Sequence, residues 1–183
     1  MLLNKEQKNT LLKISRESLE VYILRGEILD FEITVKELEE NNGAFVTLRK
    51  DKELRGCIGQ IISDNKPLWQ VARNMAIAAG TEDPRFLPVN KKELEFLNYE
   101  ISVLSAPKRC NDWRDIELGK HGVIISKGTR NGVFLPQVAP ETGWSREEFL
   151  SQLCAQKAGL AADAYKNDPD IELKIFTAQV FGE

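Results

Sequence analysis

The hydrophobic positions near the start of the chain recur at helical spacing, and polar residues mark both ends of the run. Asn4 with Gln7 forms a capping-box sequence, in which each side chain can bond the backbone of the other residue. Gly26 is a residue type that commonly ends helices. The sequence therefore predicts an amphipathic helix over residues 5–25. Its apolar stripe includes Leu12, Leu19 and Ile23.

Several shorter segments are rich in β-branched and aromatic residues and are bounded by turn residues. We expect strands at residues 44–49, 54–61, 99–105, 122–126, 132–138 and 173–181. The first two flank the turn-like segment 50–52 and predict a hairpin, and the fourth and fifth predict a second hairpin. Pro136 marks the fifth segment as an edge strand or as the site of a bulge, because proline cannot donate to a central ladder.

Two further helices have recognisable ends. Pro67 stands at the start of one, whose apolar stripe should cover a sheet, and Gly80 is its predicted end. Ser145 with Glu148 is a second capping box and opens a helix that should end at Gly159. An irregular proline-containing loop and a short helical stretch are expected at residues 81–89 and 91–97. Because strands and helices do not alternate regularly, we expect an α+β fold with a mainly antiparallel sheet flanked by helices.

Composition narrows the class of protein. The chain has 183 residues, of which 42% are hydrophobic, as expected for one domain over residues 1–183. A formal net charge of −3 leaves no basic excess to neutralise phosphates, which argues against nucleic acid as a partner. No apolar run reaches the roughly 18 residues of a membrane span, and the first residues lack a signal-peptide pattern. We expect a cytoplasmic protein that does not enter a membrane.

The cysteines and the single histidine limit metal and disulfide chemistry. Cys57, Cys110, Cys154 and His121 equal a Cys₃His zinc set in number, but their separations contain no paired ligand knuckle. Three cysteines also leave no complete disulfide framework, so we expect reduced thiols. Cys154 falls on the apolar stripe of its helix and is interpreted as a core residue. The sequence predicts neither a bound metal nor a cofactor.

The hexapeptide LRGCIG at residues 54–59 has an unusual composition for a strand. Alternate strand residues share a face and lie about 6.6 Å apart, so Arg55, Cys57 and Gly59 should lie together in a concave site. A guanidinium beside a thiol favours the thiolate, and Gly56 and Gly59 leave room for a ligand. These residues are therefore candidates for substrate contact, with Cys57 as a nucleophile or redox thiol. The alternative is a buried structural cysteine, with glycines at a bulge or against a closely packed helix.

Polar residues elsewhere supply further candidates. Histidine changes charge near neutral pH, so His121 could act as a general acid or base, or it could be an ordinary turn residue. Glu100 lies on the polar face of its strand and could pair with Arg55, or it could simply face solvent. Asp83 and Arg85 lie in the proline-containing loop, where they could contact a substrate or form a salt bridge that only fixes the loop.

Seven segments occur in the order typical of one known family and span almost the whole chain. They are GAFVTL at 43–48, LRGCIG at 54–59, DPRF at 83–86, EISVLS at 100–105, GKHGV at 119–123, FLPQV at 134–138 and FLSQLCAQKAGL at 149–160. In these segments the chain resembles the AMMECR family, often called protein A of the AmmeMemoRadiSam system. Tyr165 stands where the family pattern has tryptophan, a departure that affects only local packing.

The resemblance implies an α+β domain of two unequal lobes, with a suspected but unassigned site around the Cys57 motif. In prokaryotes the family is often encoded with, or fused to, a Memo-type protein and a radical SAM enzyme, which are therefore the expected partners. The resemblance implies no particular reaction.

Two hypotheses about function follow. In the first, the protein is an enzyme in which Cys57 is the nucleophile or redox thiol, Arg55 stabilises the thiolate or an anionic substrate, and His121 or Glu100 transfers protons. In the second, it is an adaptor module that binds an unknown small molecule, a modified substrate or a partner protein for the Memo-type and radical SAM proteins. Cys57 need not react in the second.

Overall fold

The computed structural model describes residues 2–183, which form two compact units. The first unit contains the residues up to Leu104 together with Gln179–Glu183, and the second contains Ser105–Ala178. Each unit combines helices with a four-stranded sheet built on antiparallel strand pairs, which confirms the α+β class. Among residues 2–183, no helix has both the length and the apolar character needed to cross a membrane.

The sheet of the first unit has the strand order β2-β1-β3-β8, so β2 and β8 are its edges. Element numbers follow the chain. The strands are β1 (Ala44–Lys50), β2 (Glu53–Gln60), β3 (Leu97–Leu104) and β8 (Ala178–Gly182), the helices are α1 (Lys5–Arg25) and α2 (Leu68–Thr81), and two 3₁₀ turns cover Lys36–Glu39 and Lys91–Phe96. The predicted first helix, first hairpin and third strand are confirmed.

Helices α1 and α2 pack on one face of this sheet and form the core with it. Successive side chains of a strand point to opposite faces, and in β1 this alternation buries Val46 and Leu48 completely. The same alternation places Thr47 and Arg49 on the face that points away from the helices. Polar residues of the sheet are therefore gathered on this second face.

The ends of the two helices differ in how far the sequence predicts them. Helix α1 has the expected capping box at Asn4 and ends at Gly26, whose φ of 71° is left-handed. Helix α2 continues past its predicted end at Gly80 to Thr81. A Cβ at Gly80 would lie 2.6 Å from Cδ1 of Leu19. Glycine at this position therefore allows α2 to pack closely on α1, and it does not end the helix.

The second unit has its own sheet, with strand order β4-β7-β5-β6. Its strands are β4 (Lys108–Cys110), β5 (Gly122–Lys127), β6 (Arg130–Phe134) and β7 (Glu172–Phe176), and its helices are α3 (Val138–Thr142), α4 (Arg146–Gln152) and α5 (Ala164–Asn167), with a π-helical turn at Leu153–Ala158. The second hairpin and the capping box of Ser145 are confirmed. Pro136 follows β6, an edge strand, and Cys154 is a completely buried core residue.

The predicted last strand, at residues 173–181, is wrong as a single element, because it divides into β7 and β8 in different sheets. The break lies at Thr177. Its N–H donates to Oγ of Ser105 at 3.0 Å, and its carbonyl accepts the Ser105 N–H at 2.9 Å. These two residues satisfy each other's backbone groups, so the ladder of β7 does not continue through this position.

Candidate functional site at Cys57

The hairpin of β1 and β2 contains a β-bulge at the start of the LRGCIG segment. Arg49 pairs with Leu54, whereas the preceding residue of β1, Leu48, pairs with Gly56. Arg55 is therefore an extra residue that has no partner in β1. The simple alternation that would place Arg55 beside the thiol is interrupted at this point.

The bulge determines which face of the sheet carries Cys57. Beyond the bulge, Cys57 lies opposite Thr47, on the face that points away from α1 and α2. Without the extra residue, the same turn would place Cys57 opposite Val46, which is completely buried in the core. One additional residue in β2 thus moves the thiol from the core to the other face.

The two glycines of the motif are packing residues, and the expected open space beside them is wrong. A Cβ at Gly56 would overlap the carbonyl oxygen of Ala79 in α2. A Cβ at Gly59 would overlap the ring of Phe45, its cross-strand neighbour in β1. Glycine at these positions therefore permits close packing of a helix and a ring, which is the structural alternative given for this motif.

The Cys57 thiol accepts a hydrogen bond from the hydroxyl of Thr47, with Oγ1 3.2 Å from Sγ. The register of β1 with β3 places Glu100 on the other side of Thr47. The thiol, the hydroxyl and the carboxylate therefore lie in one row across three strands, on one face. The carboxylate of Glu100 lies 3.8 Å from Nη2 of Arg49, and Arg55 pairs with Glu93, so of the two alternatives for Glu100 the pairing with Arg55 is not observed.

The backbone of Cys57 is held at the edge of β2 by side chains of the loop at residues 81–89. Its N–H donates to Oδ2 of Asp83 at 2.8 Å, and Nη2 of Arg85 donates to its carbonyl oxygen at 3.4 Å. Because β2 is an edge strand, these groups have no neighbouring strand, and a carboxylate and a guanidinium bond them instead. The LRGCIG and DPRF segments thus meet at one residue.

Asp83 and Arg85 also pair with each other, which is the salt-bridge alternative for these residues. Nε and Nη2 of Arg85 donate to the two carboxylate oxygens at 2.9 and 2.7 Å. The Asp83 side chain is only 2% exposed, whereas that of Arg85 is 54% exposed. Hydrogen bonds from Arg85 hold the pKa of Asp83 well below its usual range despite burial, and the bonds to Asp83 raise the pKa of Arg85.

Arg55 is paired with Glu93, a residue of the 3₁₀ turn before β3. Nε and Nη2 of Arg55 donate to Oε1 and Oε2 of Glu93 at 2.9 and 3.0 Å. Nζ of Lys50 also donates to Oε1 of Glu93, at 3.4 Å. These hydrogen bonds, with those from Arg55 the strongest influence, lower the pKa of Glu93 to about 2. Arg85, rather than Arg55, is thus the arginine that donates a hydrogen bond to Cys57.

His121 belongs to the second unit, where it precedes β5. Its imidazole Nδ1 accepts a hydrogen bond from the backbone N–H of Glu117 at 3.1 Å. The backbone N–H of His121 donates to the Glu117 carbonyl oxygen at 2.9 Å. These bonds are typical of a histidine within a turn, which is the ordinary interpretation of this residue. Proton transfer between His121 and Cys57 stays a prediction.

Three residues at the site were not among those expected from the sequence: Thr47, Glu93 and Phe86. The guanidinium carbons of Arg55 and Arg85 lie 5.9 and 5.5 Å from the centre of the Phe86 ring, which links the two ion pairs. Asn90 with Glu93 has capping-box spacing and forms that motif, so the sequence held a signal for the position of Glu93. Thr47 could be found only from the bulged register.

Cavities found in the part of the chain that the structure describes do not coincide with the predicted concave site. Of four cavities of about 430 to 670 Å³, none is lined by Arg55, Cys57 or Gly59. One of about 480 Å³ adjoins the neighbouring ion pair and is lined by Lys50, Glu93 and others. Within residues 2–183, no three His, Cys, Asp or Glu side chains are grouped as a metal site would require.

Comparison with known proteins places this architecture among archaeal relatives. A model described as AMMECR1 matches residues 12–181. Protein MK0488 of Methanopyrus kandleri is 41% identical over 97% of this chain and 89% of its own length, and Protein NEQ441 of Nanoarchaeum equitans is 41% identical over 94% and 98%. The crystal structure of the uncharacterized protein PH0010 from Pyrococcus horikoshii has a TM-score of 0.85 at 36% identity, covering 99% of this chain and 93% of that one. The similarity thus extends along both units.

Proposed function

Because this chain belongs to the AMMECR1 family, we propose that it is a binding module centred on Cys57. The ligand is a small molecule or a segment of a partner protein, and it lies on the sheet face that carries Cys57, Thr47 and Glu100. Cys57 contributes a hydrogen-bonding thiol and need not react. Memo-type and radical SAM proteins, which the family resemblance implies as partners, receive or supply the ligand.

One observation carries the preference for binding over catalysis: the carboxylates of this unit that could act as an acid or a base are paired with arginines. Glu100 pairs with Arg49, and Asp83 pairs with Arg85. In the described part of the chain, the hydrogen bond at the sulfur comes from Thr47, a hydroxyl and not a base. Activation of a cysteine by a general base requires that base within hydrogen-bonding distance, about 2.6–3.2 Å, of the thiol. This arrangement supports a thiol that hydrogen-bonds a ligand without reacting with it.

Native mass spectrometry of gently purified protein tests this proposal. We expect a retained small molecule, or a complex when the Memo-type or radical SAM protein of the same organism is added. Cys57→Ser and Glu100→Lys should weaken retention, because one changes the hydrogen-bonding thiol and the other reverses the charge on the same face. Glu95→Gln, at an exposed residue, is the matched control. If all three variants retain the ligand as well as the wild type does, the binding site lies away from this face.

The second candidate is a thiol enzyme, and the contact of Sγ with the Thr47 hydroxyl beside Arg85 favours it. Iodoacetamide labelling followed by peptide mass spectrometry, from mildly acidic to mildly alkaline pH, distinguishes the two functions. An activated nucleophile would label rapidly at acidic pH and lose that rate in Arg85→Gln. A binding thiol would label as an ordinary, partly exposed cysteine, without rapid labelling at acidic pH, and Arg55→Gln would not change its pH profile.

A further inference from the structure

The peptide of Cys57 is an unusual point in the edge strand. In an antiparallel pair, residues alternate between those whose N–H and C=O bond the partner strand and those whose groups point outward. Both groups of Cys57 are bonded by the loop, so they point outward from β1. Cys57 and Thr47 are consequently a pair without mutual backbone bonds, the type in which side chains lie closest together. The 3.2 Å contact between Oγ1 and Sγ agrees with this geometry.

Each carboxylate oxygen of Asp83, the side chain that bonds this peptide, already accepts two hydrogen bonds. Oδ2 of Asp83 accepts the Cys57 N–H and Nη2 of Arg85, and Oδ1 accepts Nε and the backbone N–H of Arg85. The Asp83 side chain is 2% exposed, so it is shielded from solvent. The loop is also braced, because the Phe86 N–H donates to the Asp83 carbonyl at 3.1 Å and Val89 donates to Gly80 at 2.7 Å. Asp83 is thus a fixed acceptor and is poorly suited to direct substrate contact.

We infer that Asp83 is a positioning residue for the Cys57 thiol. By accepting the outward N–H of an edge peptide, the buried carboxylate replaces the missing neighbouring strand and fixes the backbone from which the thiol projects toward Thr47. Arg85 completes the arrangement at the carbonyl of the same residue. The functional meaning of this placement rests on the proposed binding at Cys57, but the placement itself can be measured without a ligand.

Amide hydrogen exchange of the free protein, measured by NMR, tests the inference. Asp83→Ala removes the acceptor and leaves Arg85, which is 54% exposed, free to reach water. We expect the Cys57 amide to exchange about tenfold to a hundredfold faster, as the loss of a hydrogen bond to a charged group implies. The amide of Val46, in the centre of the sheet, should keep its protection. Unchanged exchange at Cys57 in a folded Asp83→Ala protein would overturn the inference.

A matched control exists in the same chain. Asp112 also accepts the N–H of the arginine two residues later and pairs with its guanidinium, but its side chain is 45% exposed. Asp112→Ala should leave the exchange of Cys57 unchanged, and an equal acceleration in this variant would contradict a specific role of Asp83. If Asp83→Ala does not fold, Asp83→Asn retains one oxygen acceptor, and we expect an intermediate exchange rate at Cys57.

A readout at the thiol separates positioning from general stability. The pH profile of Cys57 labelling by iodoacetamide should change in Asp83→Ala, because the thiol no longer keeps its place beside Thr47, and should be restored in part in Asp83→Asn. An unchanged profile, with faster amide exchange, would reduce Asp83 to a structural residue and overturn the inference. If exchange and labelling both respond but ligand retention is insensitive to Cys57→Ser, Asp83 still positions the thiol, and the proposed binding at Cys57 is the part that fails.

Discussion

Two short turns of the molecule share a local pattern and differ in their consequence. Residues 83–85 and 112–114 both read Asp-x-Arg, and each turn lies beside a cysteine of an edge strand, Cys57 of β2 and Cys110 of β4. In both, the aspartate accepts the N–H of the arginine, at 3.1 Å in the first turn and 2.9 Å in the second. The local hydrogen bonding of the two turns is therefore almost the same.

The difference lies in what each turn does to its cysteine. In the first turn the carboxylate is buried and bonds the Cys57 peptide, while the thiol accepts from Thr47. In the second turn the thiol of Cys110 donates to the backbone carbonyl of Asp112 at 3.1 Å, and burial raises the pKa of that thiol. An Asp-x-Arg sequence thus specifies a turn, and the contact of its second carboxylate oxygen decides whether the turn also holds a strand.

The largest expected effect concerns the arginines of the two turns. Arg85→Ala leaves the Asp83 carboxylate buried without its charged partner, so we expect a loss of about 2 kcal/mol in the free energy of unfolding. Arg114→Ala removes an arginine that is 67% exposed from an exposed pair and should cost less than about 1 kcal/mol. Urea denaturation of both variants at neutral pH measures the difference. Equal losses would show that burial of Asp83 carries no energetic weight.

The next largest effect should be a loss of unfolding free energy at acidic pH, caused by a carboxylate near the first turn. The pKa of Glu93 is lowered from its ordinary value of 4.5 to about 2, mainly by the hydrogen bonds from Arg55. A lowered pKa in the folded state gives stability that is present above the unfolded value and is lost as the pH falls from about 4.5 toward 2. Glu93→Gln should therefore cost about 1 kcal/mol or more at pH 7 and lose less stability than the wild type between pH 5 and 2.

Urea titrations at several pH values would measure this slope, with the exposed Glu95→Gln as the control. We expect the control to follow the wild-type curve throughout. If Glu93→Gln loses as much stability as the wild type when the pH falls, the carboxylates responsible lie elsewhere in the molecule.

The smallest expected effect concerns the two thiols themselves. Cys110→Ser shortens a buried group that donates to the Asp112 carbonyl, and it should cost about 1 kcal/mol in unfolding free energy. Cys57→Ser keeps an acceptor for Thr47 at a partly exposed position, and the expected change is below about 0.5 kcal/mol. Thermal unfolding of the two variants provides the comparison. A larger loss for Cys57→Ser would mean that its sulfur contributes to the core.

Elements whose signals are local could be predicted from the sequence, and the orientation of the site could not. Helix α1 has recognisable capping residues at both ends, and each hairpin has turn residues between its two strands. The neighbour of Cys57 instead depends on the bulge at Arg55. Counting residues back from the turn would pair Cys57 with Val46 and direct the thiol into the core. The glycines of this segment allowed a bulge as one alternative, but no residue type in it fixes the extra position at Arg55.

The roles of the glycines depend on tertiary packing in the same way. Gly80 and Gly56 allow close approach between α1 and α2, and between α2 and β2, so each is explained by a residue distant in the sequence. Glycine composition alone fits a helix end, a bulge or a ligand cleft equally well. The division of the last strand at Thr177 has the same origin, since its partner is Ser105 and no proline or glycine marks it.

The capped edge of β2 also bears on how copies of the chain behave toward one another. An uncovered edge strand offers its backbone N–H and C=O groups to any extended segment of a second molecule, which is the first step of intermolecular sheet growth. At Cys57 those groups are already bonded by a carboxylate and a guanidinium. An incoming strand would have to displace the buried Asp83 carboxylate and the half-exposed Arg85 guanidinium before it formed its first bond there. The loop at residues 81–89 therefore removes this point of β2 as a place where strand pairing with a second molecule could begin.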